Sequence, residues 1–372
     1  MLSKLLVATV AATAAAAPSW QVTDFAATSI GGVYATSADT CYAAISQNDF
    51  GPGLVKTNDG GATWENPEAG GELNTDTARD TEGNQVISTI GGIFVSHNDG
   101  PITLLDSRDI SFSQNVETFG TNSFGVTGSH YPNGVASNVV NGVALSTDGA
   151  KTFEYFDTGL QWDTYIARYS AFPSDSTWYV AQGSWGSSSV ATPDNMSNAT
   201  SWNLHHSIVH EKEAGPRYKK AEGSSVYFGA ISKTTDGGKT FNKVFDAKGE
   251  YYMNMIDCAS EDVCMVVSEG NDNAYALRTE NGGKSWETVL TATAPAGASL
   301  AACKMLSESE AWVSGGTFEK GMVGWYFHTT DGGKTWDKQV LDQAYSLDLS
   351  FADGSGYSTA MKELGSSIAV YK

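Results

Sequence analysis

His328–Lys338 reads HTTDGGKTWDK, and three other stretches repeat its phrasing: KTNDGGATWEN from Lys56, KTTDGGKTFNK from Lys233 and RTENGGKSWET from Arg278. The shared pattern is Ser/Thr-x-Asp-x-Gly-x-Thr/Ser-Trp/Phe. Good copies pair Asp59 with Trp64, Asp236 with Phe241, Asn281 with Trp286 and Asp331 with Trp336. A weaker copy holds Asp148 and Phe153, with Ala150 in place of the second glycine. The chemistry is that of a turn. An Asp or Asn side chain accepts hydrogen bonds from backbone N–H groups a few residues on. Paired glycines supply the positive φ of a tight connection. The Ser/Thr hydroxyl bonds into the same turn, and the aromatic returns on the next strand to cover an apolar layer. The phrase is stitching rather than catalytic machinery.

The Asp/Asn positions are 59, 148, 236, 281 and 331, so the gaps are 89, 88, 45 and 50 residues. With a period near 45, each long gap holds a decayed copy, VSHNDGPITL around Asp99 and VATPDNMSNATSW around Asp194. A module of that size fits one four-stranded β unit. EYYMNMIDC, VCMVVSEG, NAYALRT and KSWETVLTA show the four strands within a single period. SSIAVYK at the C-terminus has the character of a strand preceding a turn, and SWQVTDF that of a strand following one. Pairing them closes a ring and removes free sheet edges. Pre-turn strands at Val55, Phe94, Ala144, Val190, Ser232, Ala276, Phe327 and Ala369 predict a single all-β domain over 18–372. Its count is about eight blades, or seven if one decayed module is an insertion.

These copies resemble the Asp-box (bacterial neuraminidase-type) repeat family, and they span nearly all of the chain. The resemblance implies a β-propeller whose Asp-box turns lie on the outer rim, away from the central funnel where ligands bind. Several functional classes use such repeats. Sialidases hold a substrate carboxylate with three arginines and use a Tyr–Glu nucleophile. This chain has five arginines, Arg79, Arg108, Arg168, Arg217 and Arg278, and no Arg-Ile-Pro motif before the repeats. Xyloglucanase-type hydrolases place paired aspartates between two propellers, and the chain has length for one. Sortilin-type receptors add a cysteine-rich module and a membrane span. Photosystem II assembly (stability) factors are the most similar in the style of their repeats, but they present an arginine-rich face. The resemblance therefore implies a non-catalytic binding or scaffold propeller for a glycan or protein partner. A glycoside hydrolase and an assembly factor are the alternatives.

MLSKLLVATVAATAAAA reads as a secretory signal peptide over residues 1–17, which predicts an exported, extracellular protein. Formal charge is −20, from 42 acidic and 22 basic side chains. That balance repels phosphate backbones and anionic lipid heads, so neither nucleic acid nor membrane insertion is expected. A monomer without cofactor or metal is the expectation, since no CxxC pair, GxSxG elbow, HExxH helix or P-loop occurs. Cys258 and Cys264 flank a five-residue loop and predict a hairpin disulfide; Cys41 and Cys303 pair with each other or stay free.

Two stretches carry candidate binding residues. In QWDTYIARYSAFPSDSTWYVAQGSWGSS, Trp162, Tyr165, Trp178 and Trp185 would suit stacking on sugar rings, against a plain reading as interblade packing. In SWNLHHSIVHEKEAGPRYKK, His206 and His210 share a face of an extended chain with Glu211 in reach. That arrangement suits an ion or a proton-sensitive docking loop, against a solvated charged loop. Asn195 and Asn198 open overlapping glycosylation sequons.

Overall fold

The computed structural model describes residues 17–46, 53–68, 74–89, 92–105, 112–130, 139–161, 164–184, 227–270, 273–294, 298–317, 322–362 and 365–372. Among these residues there is no helix, and therefore none long and apolar enough to cross a membrane. The strands fall into seven antiparallel sets of four. The first comprises β2 (Ser29–Ala35), β3 (Cys41–Ser46), β4 (Gly53–Thr57) and β5 (Glu65–Glu68). The second holds β6 (Asn74–Arg79), β7 (Asn84–Thr89), β8 (Ile93–His97) and β9 (Thr103–Leu105). β10 (Phe112–Phe119), β11 (Ser123–His130), β12 (Val140–Ser146) and β13 (Glu154–Asp157) form the third. The fourth is β14 (Ala167–Ala171), β15 (Trp178–Ser184), β16 (Phe228–Thr234) and β17 (Asn242–Asp246). In the fifth are β18 (Tyr251–Cys258), β19 (Cys264–Gly270), β20 (Asn273–Thr279) and β21 (Glu287–Thr293). The sixth has β22 (Ser299–Met305), β23 (Ala311–Thr317), β24 (Val323–Thr329) and β25 (Asp337–Asp342). It touches the fifth through a single pair, Glu269 with Ser299. The last set takes β26 (Leu349–Ala352), β27 (Ser355–Met361) and β28 (Ser366–Tyr371), with β1 (Trp20–Val22) as its fourth member.

Second strands are covered on both faces by neighbouring sheets. β15, β19 and β23 are therefore buried along their whole length and read as continuous runs of apolar and small residues. Fourth strands lie at the outer edge, and β21 and β25 expose most of their residues. β1 fills its place by pairing antiparallel to β28, Trp20 opposite Tyr371 and Val22 opposite Ala369. Gln339 on β25 brackets the same strand: its Oε1 accepts from Trp20 N and its Nε2 donates to Trp20 O, both at 2.8 Å.

The repeated phrase sits in each case between the third and fourth strands. At Asp331, Oδ1 accepts from Thr329 Oγ1 and Thr335 N, each at 2.9 Å, and Oδ2 accepts from Thr335 Oγ1 at 2.6 Å. The same three bonds recur at Asp59, Asp148 and Asp236. Asn281 reverses the polarity of one, its Nδ2 donating to Ser285 Oγ. The threonine hydroxyl and backbone N–H hold the Asp59, Asp236 and Asp331 carboxyls at about 2.

Each turn also ties down its surroundings. The first glycine donates to a carbonyl of the hairpin joining strands one and two, as Gly60 does to Asp39 O and Gly332 to Ser309 O. The second lies against the preceding sheet. A Cβ on Gly238 (φ +86°) would stand 2.5 Å from Phe156 of β13. Trp336 Nε1 donates to Val289 O of β21. Ala150 takes φ +64° where its counterparts are glycine.

At two of the turns the preceding residue reaches forward to the next set. Lys233 Nζ donates to Gly282 O in the next set at 2.9 Å, and Arg278 Nη2 donates to Glu308 O at 2.6 Å. Arg278 is nearly buried, so Arg278→Ala removes a charge-assisted bond to the Glu308 carbonyl together with the packing of its stem. The expected loss is about 2 kcal/mol in urea unfolding.

The decayed copy at Asp99 lies between β8 and β9 in left-handed backbone (φ 52° and 56° at Asn98 and Asp99), with Asp99 paired to Arg79 at 3.0 Å. Val190 and Asp194 lie outside the described residues. In chain order they fall between β15 and β16, which pair directly from Trp178–Thr234 to Ser184–Phe228. Cys258 and Cys264 are disulfide-bonded across the β18–β19 hairpin, and Cys41 and Cys303 are buried free thiols.

Candidate functional site

The first strands β2, β6, β10, β14, β18, β22 and β26 pack one against the next, and β26 returns to β2. Each has one edge paired within its sheet and the other turned toward the common axis. In six of them the register slips near the start, between Ile30/Gly32, Asn74/Asp76, Ser113/Asn115, Ala167/Tyr169, Met253/Met255 and Leu300/Ala302. Such bulges unpair backbone groups and re-aim side chains. Neighbouring sheets supply the missing acceptors. Asp76 Oδ2 accepts from Val116 N at 2.9 Å, Asn115 Oδ1 from Ser170 N at 3.1 Å, and Asp348 Oδ2 from Val33 N at 2.8 Å. Gly32 is required here, because a Cβ on it would stand within bonding distance of the Asp76 carboxylate.

Further along the same strands the lining becomes charged. Lys304 of β22 stands 3.4 Å from Asp257 of β18, whose Oδ2 also accepts from Met305 N at 2.7 Å. Tyr34 of β2 extends past β6, where the equivalent residue is the small Ala78, and its hydroxyl meets Thr118 Oγ1 of β10 at 3.1 Å. Glu117 lies beside Thr118. The Lys304 side chain keeps 31% of its surface open and Asp257 keeps 13%; Tyr34 and Glu117 are half-buried.

The electrostatics follow from this crowding. Burial pushes the Glu117 carboxyl up to about 7, with Lys304 pulling it down and Asp257 and Asp348 pushing it up. Asp348 is raised to about 6 by burial, against the N–H donors of Val33 and Leu349. Asp76 is raised by burial and then by Asp348. Asp257, ahead of its own desolvation and with Glu117 adding to the effect, holds Lys304 firmly cationic. At the other end of the first strands lies an aromatic group with Arg168, whose guanidinium is 5.2 Å from the Tyr252 ring centroid. Among the described residues no group of three or more His, Cys, Asp or Glu is placed to hold a metal.

No family model and no curated protein matches the chain. Solved structures do. The WD40 β-propeller domain of Doa1 superposes with a TM-score of 0.57 at 8% identity, over 95% of this chain and 97% of that one. The fold is a β-propeller. YCF48 bound to D1 peptide gives 0.58 at 11% identity, covering 95% and 94% of the two chains. A polysaccharide lyase of the PL25 ulvan lyase type gives 0.55 at 11%, covering 93% and 94%. The four-stranded sets are its blades, and the charged residues lie on their first strands.

Of the aromatic candidates, Trp178 and Tyr165 are not part of this channel cluster. Trp178 is buried between Phe156, Phe172 and Phe241, with Nε1 donating to Asp175 O, so packing between blades consumes its ring. Tyr165 is half-buried against Phe228, with Lys243 Nζ 5.6 Å from its ring centroid. Trp162, Trp185, Asn195, Asn198, His206, His210 and Glu211 lie outside the described residues. Sequence reasoning passed over Tyr34, Glu117, Asp257 and Lys304. The available signal was a lone charge inside an apolar first strand, as Lys304 is within SLAACKM.

Proposed function

We propose that the chain is an exported, non-catalytic binding propeller of seven blades, closed by β1 on β28, that takes a glycan or protein partner at its axial channel. The observation that carries this reading is the unspent hydrogen-bonding capacity at the channel lining. Among the described residues, the Lys304 ammonium has only the Asp257 carboxylate at 3.4 Å, although it carries three donors. With 31% of its side chain open, the ammonium turns its remaining donors toward solvent, where a ligand can take the place of water. Among structures of similar fold, YCF48 has been seen bound to D1 peptide, and another is a polysaccharide lyase.

A second reading, chemistry on a glycan, is favoured by Glu117. A carboxyl raised by burial to about 7 is suited to proton transfer. An assembly-factor role sits less well with the arginines. Arg79 pairs with Asp99, Arg278 reaches Glu308, and Arg168 lies by Tyr252, all on separate blades.

The test is a glycan array together with a chromogenic glycoside panel on residues 18–372. Binding without turnover, lost in Lys304→Met, is the expected result. Turnover of any glycoside overturns the non-catalytic assignment. N-terminal sequencing of the secreted protein checks export, with Pro18 as the expected first residue.

A further inference from the structure

We propose that Asn281 is a site of slow deamidation, which converts the turn between β20 and β21 into the aspartate form of its sisters. Asn281 is exposed and is followed by Gly282. Succinimide formation needs such a neighbour. The Gly282 nitrogen attacks the side-chain carboxamide carbon, and with no side chain on Gly282 the approach is open. The bond to the amide nitrogen breaks and ammonia leaves. Water then opens the ring at either carbonyl, giving aspartate or isoaspartate. Asn141–Gly142 is the other such pair among the described residues, and Asn141 is buried.

The turn can hold the aspartate. Oδ1 of Asn281 accepts from Thr279 Oγ1 at 3.1 Å and from Ser285 N at 3.0 Å, and Nδ2 donates to Ser285 Oγ at 2.8 Å. Only the last bond depends on the amide. A hydroxyl donates as readily as it accepts, so Ser285 reverses its role and gives the bond that Thr335 gives Asp331. Isoaspartate adds a carbon to the main chain inside the turn and cannot keep this set. Contacts on Gly282 set the pace. Its N–H donates to Asp262 O at 3.0 Å, and its carbonyl accepts from Lys233 Nζ at 2.9 Å. The nitrogen is free to attack only when the turn opens away from the β18–β19 hairpin, so the folded chain reacts more slowly than a free peptide.

The experiment holds the chain from Pro18 onward in mildly alkaline buffer and follows the tryptic peptide Thr279–Lys284, TENGGK, by mass spectrometry. The synthetic peptide is treated in parallel. Conversion at Asn281 is expected to be about 10-fold slower in the folded chain than in the peptide. Lys233→Met is expected to speed it several-fold. Urea well below the unfolding midpoint opens the same contact, and serves if that variant does not fold. Asn281→Asp is expected to unfold at the urea concentration of the parent or above it. An Asn281 that stays unconverted in the variant and in urea, while the peptide converts fully, overturns the site. A folded chain as fast as the peptide overturns the control by Gly282. A lowered midpoint for Asn281→Asp overturns the claim that the turn accepts the product.

Discussion

Trp20→Ala is expected to cost about 3–5 kcal/mol in equilibrium unfolding, the largest effect of any single truncation considered. The side chain is 1% exposed. Its ring stacks on Tyr326 at 4.5 Å between centroids and meets Trp312, Phe351 and Tyr371 at 5.6–5.8 Å. These neighbours come from the sixth and seventh sets of strands, so the residue fills the seam between them. The strand that carries it is only three residues long and pairs with β28 alone. Without the indole, three ladder pairs to β28 and the two Gln339 bonds must hold the strand. Gln339→Ala is the control: it removes the two bonds bracketing Trp20 but leaves the packing, at an expected cost of about 1–2 kcal/mol. A Trp20→Ala loss no larger than that of the control would show that packing does not carry the closure.

The second large effect is on acid stability, and it comes from His130. The ring is fully buried at the end of β11, 5.5 Å from Tyr155, and neither nitrogen has a hydrogen-bond partner among the described residues. Burial lowers it from 6.5 to about 4. Between those values the unfolded chain binds a proton that the folded chain refuses, so stability falls as pH drops through the window. The full loss is about 3 kcal/mol once pH is below the folded value. Glu117 and Asp348 act in the opposite direction. Their raised values mean that the folded state keeps protons the unfolded state has shed above pH ~4, so they reduce stability as pH rises toward 7. Comparing His130→Phe with the parent isolates the histidine. Urea midpoints measured from pH 7 to pH 4 should fall less steeply in the variant. Parallel curves would refute the assignment.

What the sequence disclosed was local. The turn at Asp331 closes within seven residues, so its hydrogen bonds, its glycines and its returning Trp336 are all legible in one phrase. The Cys258–Cys264 hairpin was legible for the same reason. The spacing between phrases was less reliable. The 88 residues from Asp148 to Asp236 suggest two modules, yet β15 and β16 pair directly across the long connection from Ser184 to Phe228. The channel was hidden almost completely. Tyr34, Glu117, Asp257 and Lys304 are scattered over some 270 residues, and only the circular packing of the first strands brings them near one axis. For Trp178 the plain reading as interblade packing is the one the structure bears out. An aromatic in a loop-rich stretch suggests a ligand platform, but β15 is buried on both faces and has no exposed side on which to present it.

The way β1 meets β28 also decides how the molecule would respond to being pulled. The strands are antiparallel, and Ser19 and Lys372 exchange backbone hydrogen bonds, so both ends of the described chain leave the sheet at the same corner. Tension applied between them would part the ladder one rung at a time, as a zipper opens, instead of loading every rung together. The seam is well defended against heat and denaturant by the buried indole. Along this single direction the load would fall first on the outermost ladder pair, Trp20 with Tyr371, so the buried indole itself is the first obstacle to opening.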